Sequence, residues 1–367
     1  MSRENLSIIN PKSNHQGRYL ANKSSNQRLR QERNSMKSLE ALGERRIIEI
    51  IRSRLSLMPK MPVPFGDDVS ACNLGNGRLA ILKTDMLVDK TDVPPGMSLW
   101  QAARKAVIMN ISDFAAKGVK PLALLVSLGL PENLNDKDIG EIGDGLNAGA
   151  QEYGTYIIGG DTGEASDTVI SISMFGTARK GKLMLRNGAK PGNVVAVTGS
   201  FGKTASGLRI LLNDLKVPKR IGKVLIESVL LPSARLNEGL ALAQSRAVTA
   251  SIDSSDGLSW SLYEIGRASN VGFLITRVPI AKEVEEFAKV NELDPFELAL
   301  HGGEEYELVL TIKPKLLEKA KETVEKTGGK LLPIGKVTTG EKILLRTNGR
   351  EHVVEPRGYE HFKQRKD

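Results

Sequence analysis

The chain has 367 residues, of which 40% are hydrophobic and 26% charged, so it is long enough for two folded domains and unlike a disordered protein. It has no apolar run long enough to cross a membrane, and the single cysteine, Cys72, excludes a disulfide framework and a cysteine-rich zinc site. Much of the net charge of +9 comes from residues 1–38, which contain eight Lys and Arg and two Glu.

Residues 1–38 are rich in Ser, Asn, Gln and Arg and contain few apolar side chains. We expect a flexible basic tail, because such a segment cannot bury enough surface to offset its conformational entropy. A solvated extension, an arm that touches nucleic acid or acidic surfaces, and a transit peptide are all compatible with this composition. Aromatic residues make up only 4% of the chain, which argues against a stacking platform for single-stranded nucleic acid.

From Leu39 onwards, apolar segments predict helices that alternate with strands. The first helix begins near Leu39 and is stopped by the prolines of 61–64. The elements predicted next are strand 78–83, helix 98–117 with Ser98 as N-cap, strand 122–130, helix 136–153, strand 155–158 and strand 169–178. These elements form the first predicted domain, 39–186.

A turn sequence at 187–192, Asn-Gly-Ala-Lys-Pro-Gly, predicts the boundary to a second domain, 187–367. The elements predicted there are strand 193–198, helix 203–212, strand 250–252, a helix from about Gly257, strand 307–312 and helix 315–326. The alternation of strands and helices in both halves is typical of an α/β or α+β fold.

The most informative feature is a series of acidic residues next to Gly, Ser or Thr near the ends of predicted strands. They occur in six motifs: Phe65-Gly66-Asp67-Asp68, Lys83-Thr84-Asp85, Asn110-Ile111-Ser112-Asp113, Gly159-Gly160-Asp161-Thr162, Ser251-Ile252-Asp253-Ser254-Ser255-Asp256-Gly257 and Gly302-Gly303-Glu304-Glu305-Tyr306. One such motif alone is typical of a turn or a helix cap. If the motifs converge, two carboxylates about 4 Å apart repel by about 4 kcal/mol at an effective dielectric of about 20, so cations must accompany them.

Oxygen ligands favour hard cations, so these motifs predict a site for Mg²⁺, with Mn²⁺ as the alternative. The four histidines are His15, His301, His352 and His361, and they lack the close spacing that metal ligands usually have. Because Mg²⁺ is often shared between carboxylates and substrate phosphates, the motifs point to phosphoryl transfer with a nucleotide.

The usual nucleotide-binding signatures do not occur in the chain. The segment Gly199–Thr204 has only two residues between its glycines, where a P-loop needs four, and neither a Rossmann fingerprint nor the protein-kinase motifs are found. We interpret 199–204 as a strand-to-helix turn whose backbone amides could bind an anion. A nucleotide would therefore be bound by a different fold.

In this order, the motifs resemble those of the thiamine-monophosphate kinases, a family of the aminoimidazole-ribonucleotide-synthetase-like superfamily. The resemblance runs from about Leu39 to Phe362 and includes the strings GGEEYEL at 302–308 and GYEHF at 358–362. It implies a two-domain α/β fold whose N-terminal sheet pairs with that of a second copy in a homodimer. It also implies ATP-dependent phosphorylation of thiamine monophosphate to thiamine diphosphate, assisted by several Mg²⁺ ions. With its single cysteine, the chain is expected to be cytoplasmic, with neither a membrane nor a nucleic-acid partner.

The resemblance implies roles for individual residues. The expected Mg²⁺ ligands are Asp67, Asp68, Thr84, Asp85, Asp113, Asp161, Asp253 and Asp256. Asp113 and Asp253 are the expected catalytic residues. Gly160, Arg186 and Ser255 are expected near ATP, and Glu304 and Tyr359 near the thiamine. No general base is expected, because the attacking phosphate oxygen of thiamine monophosphate is already anionic near neutral pH.

Two positions depart from the family pattern. Many members have Ser or Thr where this chain has Lys83, so a metal contact is lost if the hydroxyl binds and kept if the backbone carbonyl binds. Many members have His where this chain has Asp92. The Asp92 carboxylate either contacts the cationic thiazolium or the pyrimidine amine of the substrate, or forms an Asx-turn before Pro94.

Other functions explain the sequence less well. Selenophosphate synthetase needs a reactive Cys or selenocysteine in its N-terminal segment, and a hydrogenase-maturation member needs a C-terminal Cys; the chain has neither. The purine-synthesis enzyme of the superfamily lacks no required residue here, but the motifs at 251–258 and 302–308 favour the thiamine enzyme. A nucleic-acid-binding protein that uses the basic tail leaves the carboxylates unexplained.

Overall fold

The computed structural model of the protein describes residues 38–213 and 215–362. Apart from Ser38, the predicted basic tail lies outside the described residues. The chain divides into two compact units, Met58–Tyr359 and a small unit formed by the flanking residues up to Leu57 and from Glu360.

No helix in the described part of the chain is both long enough and apolar enough to cross a bilayer.

The small unit contains helix α1, Leu39–Arg52, at the position predicted from the sequence. Ser38 caps the helix, since its side chain accepts a hydrogen bond from the Ala41 amide at 3.2 Å. Within the same unit, Arg45 lies 3.6 Å from the Glu360 carboxylate.

The N-terminal half of the large unit is built on a five-stranded mixed sheet in the order β1-β2-β5-β3-β4. Its strands are β1 (Ser70–Gly75), β2 (Arg78–Val88), β3 (Pro121–Leu130), β4 (Ile157–Glu164) and β5 (Val169–Arg179). β3 and β4 run parallel, and the other neighbouring strands are antiparallel. Three helices accompany this sheet, namely α2 (Asp89–Asp92), α3 (Leu99–Lys117) and α4 (Asp136–Glu152).

The two faces of this first sheet differ in exposure. Ile81, Ile172 and Leu124 pack into the core, and the residue that follows each of them is exposed. The opposite face, which we call the outer face, has solvent-exposed apolar side chains: Leu82, Met86, Leu125 and Phe175.

Helix α3 lies at the centre of the large unit. Ser98 and Gln101 form a capping box at its N-terminus, and Gly118 ends it in the left-handed conformation. Nearly every residue from Ala102 to Lys117 is buried, because α3 packs against the first sheet, against α4 and against elements of the C-terminal half. Polar residues on this helix are therefore held inside the protein.

The C-terminal half contains a seven-stranded mixed sheet in the order β12-β11-β8-β10-β6-β9-β7. Its strands are β6 (Val194–Val197), β7 (Val248–Asp253), β8 (Gly272–Ile275), β9 (Leu308–Ile312), β10 (Leu332–Thr338), β11 (Ile343–Thr347) and β12 (Arg350–Val353). The helices of this half are α5 (Lys203–Asn213), α6 (Lys219–Leu230), α7 (Leu236–Ser245), α8 (Leu258–Ser269), α9 (Lys282–Val290), α10 (Pro295–His301) and α11 (Leu317–Glu325), the last preceded by a 3₁₀ turn at Pro314–Leu316.

Every helix and strand predicted from the sequence occurs in the structure, and one strand is shifted along the chain. The strand expected at 155–158 is β4, Ile157–Glu164, so the Gly-Gly-Asp-Thr motif lies within a strand and does not follow one. Glycines at this edge allow close approach, because a Cβ on Gly160 would lie 1.9 Å from the Val126 carbonyl oxygen of β3. The boundary at 186/187 falls between β5 and β6 and stays a prediction.

Candidate functional site

Three of the predicted carboxylates meet where the two halves of the large unit pack together. Asp68 lies in the loop before β1, Asp113 in the last two turns of α3, and Asp253 at the end of β7. One carboxylate oxygen from each lies within 4.8 Å of the others, and all three residues are buried. We call these three residues the acidic cluster. Their all-oxygen donor set fits a hard divalent cation such as Mg²⁺.

Lys117 supplies a cation to this cluster from one helical turn beyond Asp113. Its side chain is fully buried, and its ammonium lies 2.7 Å from carboxylate oxygens of both Asp67 and Asp68. The same ammonium donates to the Ser251 carbonyl on β7 at 2.8 Å. Lys117 therefore explains why the two adjacent aspartates tolerate each other inside the protein.

Arg186 supplies a second cation to the same aspartates. Its guanidinium is paired with Asp68 and donates to the Gly66 carbonyl at 2.9 Å, while its backbone amide donates to Asp67 at 3.0 Å. Burial alone would raise the pKa of Asp68, but the charges of Arg186 and Lys117 lower it below its ordinary value. The arginine expected near ATP is thus already held against a metal-site carboxylate.

Lys83 contributes a third cation, from the strand that also carries Asp85. Its ammonium lies 2.8 Å from Asp113 and 3.8 Å from Asp85. Burial alone would lower the pKa of Lys83, but the charges of these aspartates raise it, so the side chain stays protonated. A lysine therefore lies where the sequence predicted metal ligands.

Burial, with the surrounding negative charge, raises the pKa of two carboxylates. Burial, together with the charges of Asp253, Asp68 and Asp85, raises the pKa of Asp113 well above its ordinary value in spite of Lys83. Burial and the charge of Asp68 raise the pKa of Asp253 to about 6, although Ser112 donates to it at 2.7 Å. The cluster is therefore short of positive charge, as expected of a site that receives a cation.

A second set of residues, which we call the Lys105 group, consists of Lys105, Asp92 and Glu304. The buried Lys105 ammonium lies 2.6 Å from the Glu304 carboxylate and donates to the Asp92 carbonyl at 2.9 Å. The Asp92 carboxylate accepts from the Val88 amide at 2.8 Å, so it also serves the local turn around α2. Its contact with substrate stays a prediction.

Backbone bonds join the motifs around Glu304 to those of the acidic cluster. The Glu304 amide donates to the Ser255 carbonyl at 2.6 Å, and the Tyr306 amide donates to Ser254 at 3.0 Å. The Tyr359 amide donates to the Asp256 carbonyl at 3.1 Å. Backbone hydrogen bonds thus join Tyr359 and the motifs at 251–257 and 302–308 into one continuous wall.

Tyr306 is buried near carboxylates of both the Lys105 group and the acidic cluster. Its side chain is 3% exposed. Burial raises its pKa well above the ordinary value, and the negative charges of both sets add to this effect. The phenol therefore stays protonated.

The structure leaves several expected ligands outside the acidic cluster. Thr84 is exposed on the outer face and accepts from the Ser173 hydroxyl at 3.3 Å. Asp161 is exposed on β4 and pairs in register with Ser127. Asp85 lies 3.8 Å from the ammonium of Lys83, which links it to Asp113 of the cluster. The carbonyl groups of Ser255 and Asp256 accept backbone hydrogen bonds within the wall. Metal or nucleotide contacts of these residues stay predictions.

The anion at the Gly199–Thr204 turn is a side chain of the protein. The amides of Gly202 and Thr204 donate to the Glu305 carboxylate at 2.6 and 3.1 Å. Because burial dominates, the pKa of Glu305 is raised to about 7. This turn thus anchors the 302–308 motif, as the N-terminus of a helix can do for any anion.

Lys105 and Lys117 are the functional candidates that sequence reasoning missed. Both lie on α3, a helix whose Ala-rich sequence offers no polar face for a lysine to occupy. A lysine in such a helix must find carboxylates inside the protein, so this mismatch was an available signal.

Comparison with known proteins agrees with this arrangement. The family models of AIR synthase related protein match the chain, the N-terminal domain at residues 66–178 and the C-terminal domain at residues 190–347. The chain is 36% identical over 325 residues to a thiamine-monophosphate kinase of Nitrosopumilus maritimus, a match that covers 89% of this chain and 100% of the relative. It is 39% identical over 301 residues to that of Pyrococcus horikoshii, which covers 82% of this chain and 91% of the relative.

A solved structure described as AaThiL complexed with AMPPCP and TMP is 27% identical and superposes with a TM-score of 0.77. The match covers 89% of this chain and 99% of that one. The fold, the length covered and the identities agree with one another. The chain therefore belongs to the thiamine-monophosphate kinase family, within the AIR synthase related proteins.

Proposed function

We propose that this protein transfers the γ-phosphoryl group of ATP to thiamine monophosphate, forming thiamine diphosphate, with Mg²⁺ held at the acidic cluster. The convergence of Asp68, Asp113 and Asp253 carries the proposal, because three buried carboxylates from distant parts of the chain need a cation. The names of the curated relatives and the complex with an ATP analogue and TMP support the choice of substrates.

The residues of the chain would act mainly by placing charge. Bound Mg²⁺ would offset the negative charge of the carboxylates and of the phosphoryl group in transfer. Lys117 and Arg186 hold Asp68 in one position from two sides, and Ser112 does the same for Asp253. Such fixed positions are what in-line transfer between two anions requires.

The chain needs no general base for this reaction. The phosphate oxygen of thiamine monophosphate that attacks is anionic near neutral pH, so no proton has to be removed from it. Glu304 and Tyr359, which line the wall next to the acidic cluster, are proposed to contact the thiamine. Because the carboxylate of Glu304 is paired with Lys105, the lysine would fix its orientation.

We further propose that the active form is a cytoplasmic homodimer in which a second copy covers the outer face of the first sheet. Met86 is 57% exposed there and Leu125 is 47% exposed, although both are large apolar residues in the middle of a sheet. A sheet that packs on a second sheet would remove this apolar surface from water.

The direct test is an assay of purified protein with ATP, Mg²⁺ and thiamine monophosphate, in which thiamine diphosphate is quantified by chromatography. Product should form with Mg²⁺ and disappear when the metal is removed by a chelator. Thiamine itself and the acyclic substrate of the purine-synthesis enzyme serve as alternative acceptors. A folded sample that makes no thiamine diphosphate, or that prefers another acceptor, would contradict the proposal.

A further inference from the structure

The charges around the acidic cluster are more nearly balanced than the number of aspartates suggests. Five aspartates lie in this network: Asp67, Asp68, Asp85, Asp113 and Asp253. Three cations contact them, Lys83, Lys117 and Arg186. With all of these groups ionised, two negative charges are left among them, and Glu264, 3.6 Å from Arg186, adds a further carboxylate at the edge of the network.

The three cations are not equivalent. Lys117 is fully buried and held by three acceptors, while Arg186 is fixed by Asp68, Gly66 and the backbone contact to Asp67. Both stabilise the loop that carries Asp67 and Asp68. Lys83 contacts one carboxylate on its own strand, β2, and one on α3. Its side chain is 20% exposed, so it has room to move when a ligand binds.

The position of the Lys83 ammonium is one that a metal ion would otherwise take. It lies between Asp85 and Asp113, within hydrogen-bonding distance of one and in ion-pair contact with the other. Removing its charge would leave these carboxylates close together with no cation of the chain between them. A cation from solution in place of the ammonium would relieve the repulsion between them.

We propose that Lys83 is a resident cation of the active site, which takes one divalent-ion position between Asp85 and Asp113 in the nucleotide-free protein. This inference rests on the proposed magnesium site at Asp68, Asp113 and Asp253. It follows that the free protein binds one divalent ion fewer than the same chain without the Lys83 charge. The ammonium lowers the number of ions that must be collected before nucleotide binds.

The experiment counts Mn²⁺ bound per chain in the absence of nucleotide, by equilibrium dialysis with the free ion measured by electron paramagnetic resonance. Lys83→Met removes the charge and keeps the length of the side chain, whereas Lys83→Arg keeps the charge. We expect Lys83→Met to bind about one Mn²⁺ more per chain than the wild type, and Lys83→Arg to match the wild type. Lys180→Met, at an exposed lysine outside the network, is the matched control and should also match the wild type.

A second variant guards against a folding defect. Lys83→Ser replaces the ammonium with a small neutral side chain, and it should also gain about one Mn²⁺. Melting curves provide an independent readout: Mn²⁺ should stabilise both neutral variants more than it stabilises the wild type.

The outcomes separate this inference from the magnesium proposal. If the neutral variants bind the same number of ions as the wild type with the same affinity, Lys83 is an ordinary ion-pair residue and the inference is wrong. If the wild type binds no Mn²⁺ at all, the magnesium site itself is wrong.

Discussion

At the residue scale, Asp113 combines the most features expected of a catalytic metal ligand. It lies on a fully buried stretch of α3, contacts Lys83, and shares its surroundings with Asp68 and Asp253. Burial and the charges of Asp253 and Asp68 raise its pKa although Lys83 lowers it, so the ionised carboxylate destabilises the ligand-free fold. A residue kept at such a cost is a strong candidate for function.

Replacing this carboxylate should therefore separate activity from stability. We expect Asp113→Asn to lower thiamine diphosphate formation by about 100-fold or more, while the ligand-free melting temperature changes by less than about 3 °C. Product chromatography and melting curves measure the two effects. Asp144→Asn, at an exposed aspartate of α4, is the control and should change neither quantity. A large loss of ligand-free stability in Asp113→Asn would show that Asp113 is structural.

Glu305 should make the stability of the protein depend on pH. Its pKa is raised from an ordinary value of 4.5 to about 7. Between these two pH values the folded protein therefore retains a proton that the unfolded chain has lost. Folding stability is therefore highest below pH 4.5 as far as this group is concerned, and falls as the pH rises to about 7.

Glu305→Gln removes this titration while its side-chain oxygen can still accept from Gly202 and Thr204. At pH 8 the variant should be more stable than the wild type by about 2 kcal/mol, and at pH 4 the difference should vanish. Urea unfolding at both pH values measures this. Glu341→Gln, at an exposed site, should show no such pH dependence. A wild-type advantage that is the same at both pH values would refute the assignment.

At the scale of elements, helix α4 approaches α3 through glycines on one side only. A Cβ on Gly145 would lie 2.2 Å from the Trp100 carbonyl oxygen, whereas a Cβ on Gly140 would meet nothing within 4 Å. Because α3 carries Asp113, Lys105 and Lys117, the fit of these two helices also sets the position of the site.

Two substitutions in one helix test this packing. Gly145→Ala should destabilise the protein by about 2 kcal/mol, because the helices must move apart. Gly140→Ala, on the exposed side of the same helix, should stabilise it by about 0.5–1 kcal/mol through helix propensity. Denaturant unfolding of the two variants gives the comparison. Equal effects would show that α4 has room to shift.

The elements that sequence patterns predicted are those with a long apolar period or a clear cap. Helix α3 has both, with Ser98 at its start and Gly118 at its end. The elements that were not predicted are the helices α2, α6, α7, α9 and α10 and the strands β1, β8, β10, β11 and β12, and of these α6 and α9 each have an apolar stripe. β4 was misplaced because its residues are all exposed, so no alternation of buried and exposed positions marks it.

At the scale of the whole molecule, the site depends on contacts that no local pattern reveals. The sequence motifs correctly indicated that carboxylates converge, and Asp68, Asp113 and Asp253 do so. The partners of Lys83 and Lys117 in the cluster could not be assigned, because the contacts of Lys83 with Asp113 and of Lys117 with Asp67 and Asp68 join different elements. Thr84 and Asp161 lie on strands β2 and β4 outside the acidic cluster, and their contacts with metal stay predictions.

The exposed outer face leads to a prediction about assembly. Leu125→Lys should convert the proposed dimer to a monomer, because dimerisation would bury an ammonium without an opposite charge to pair with it. The circular dichroism spectrum should be retained. Light scattering coupled to gel filtration measures the mass. Leu212→Lys, at an exposed leucine of α5, is the control and should leave the mass unchanged. A wild type that is monomeric at all concentrations would exclude the dimer.

The contacts of Lys117 and Ser112 affect how the protein can move. Both residues belong to α3, and they bind Ser251 and Asp253 at the end of β7. The bonds that hold the acidic cluster are thus the same bonds that fasten one sheet-bearing half to the other. A wide hinge opening would break these hydrogen bonds and separate the residues of the acidic cluster. We therefore expect reactants to enter and leave through motions of surface loops while the two halves stay in contact.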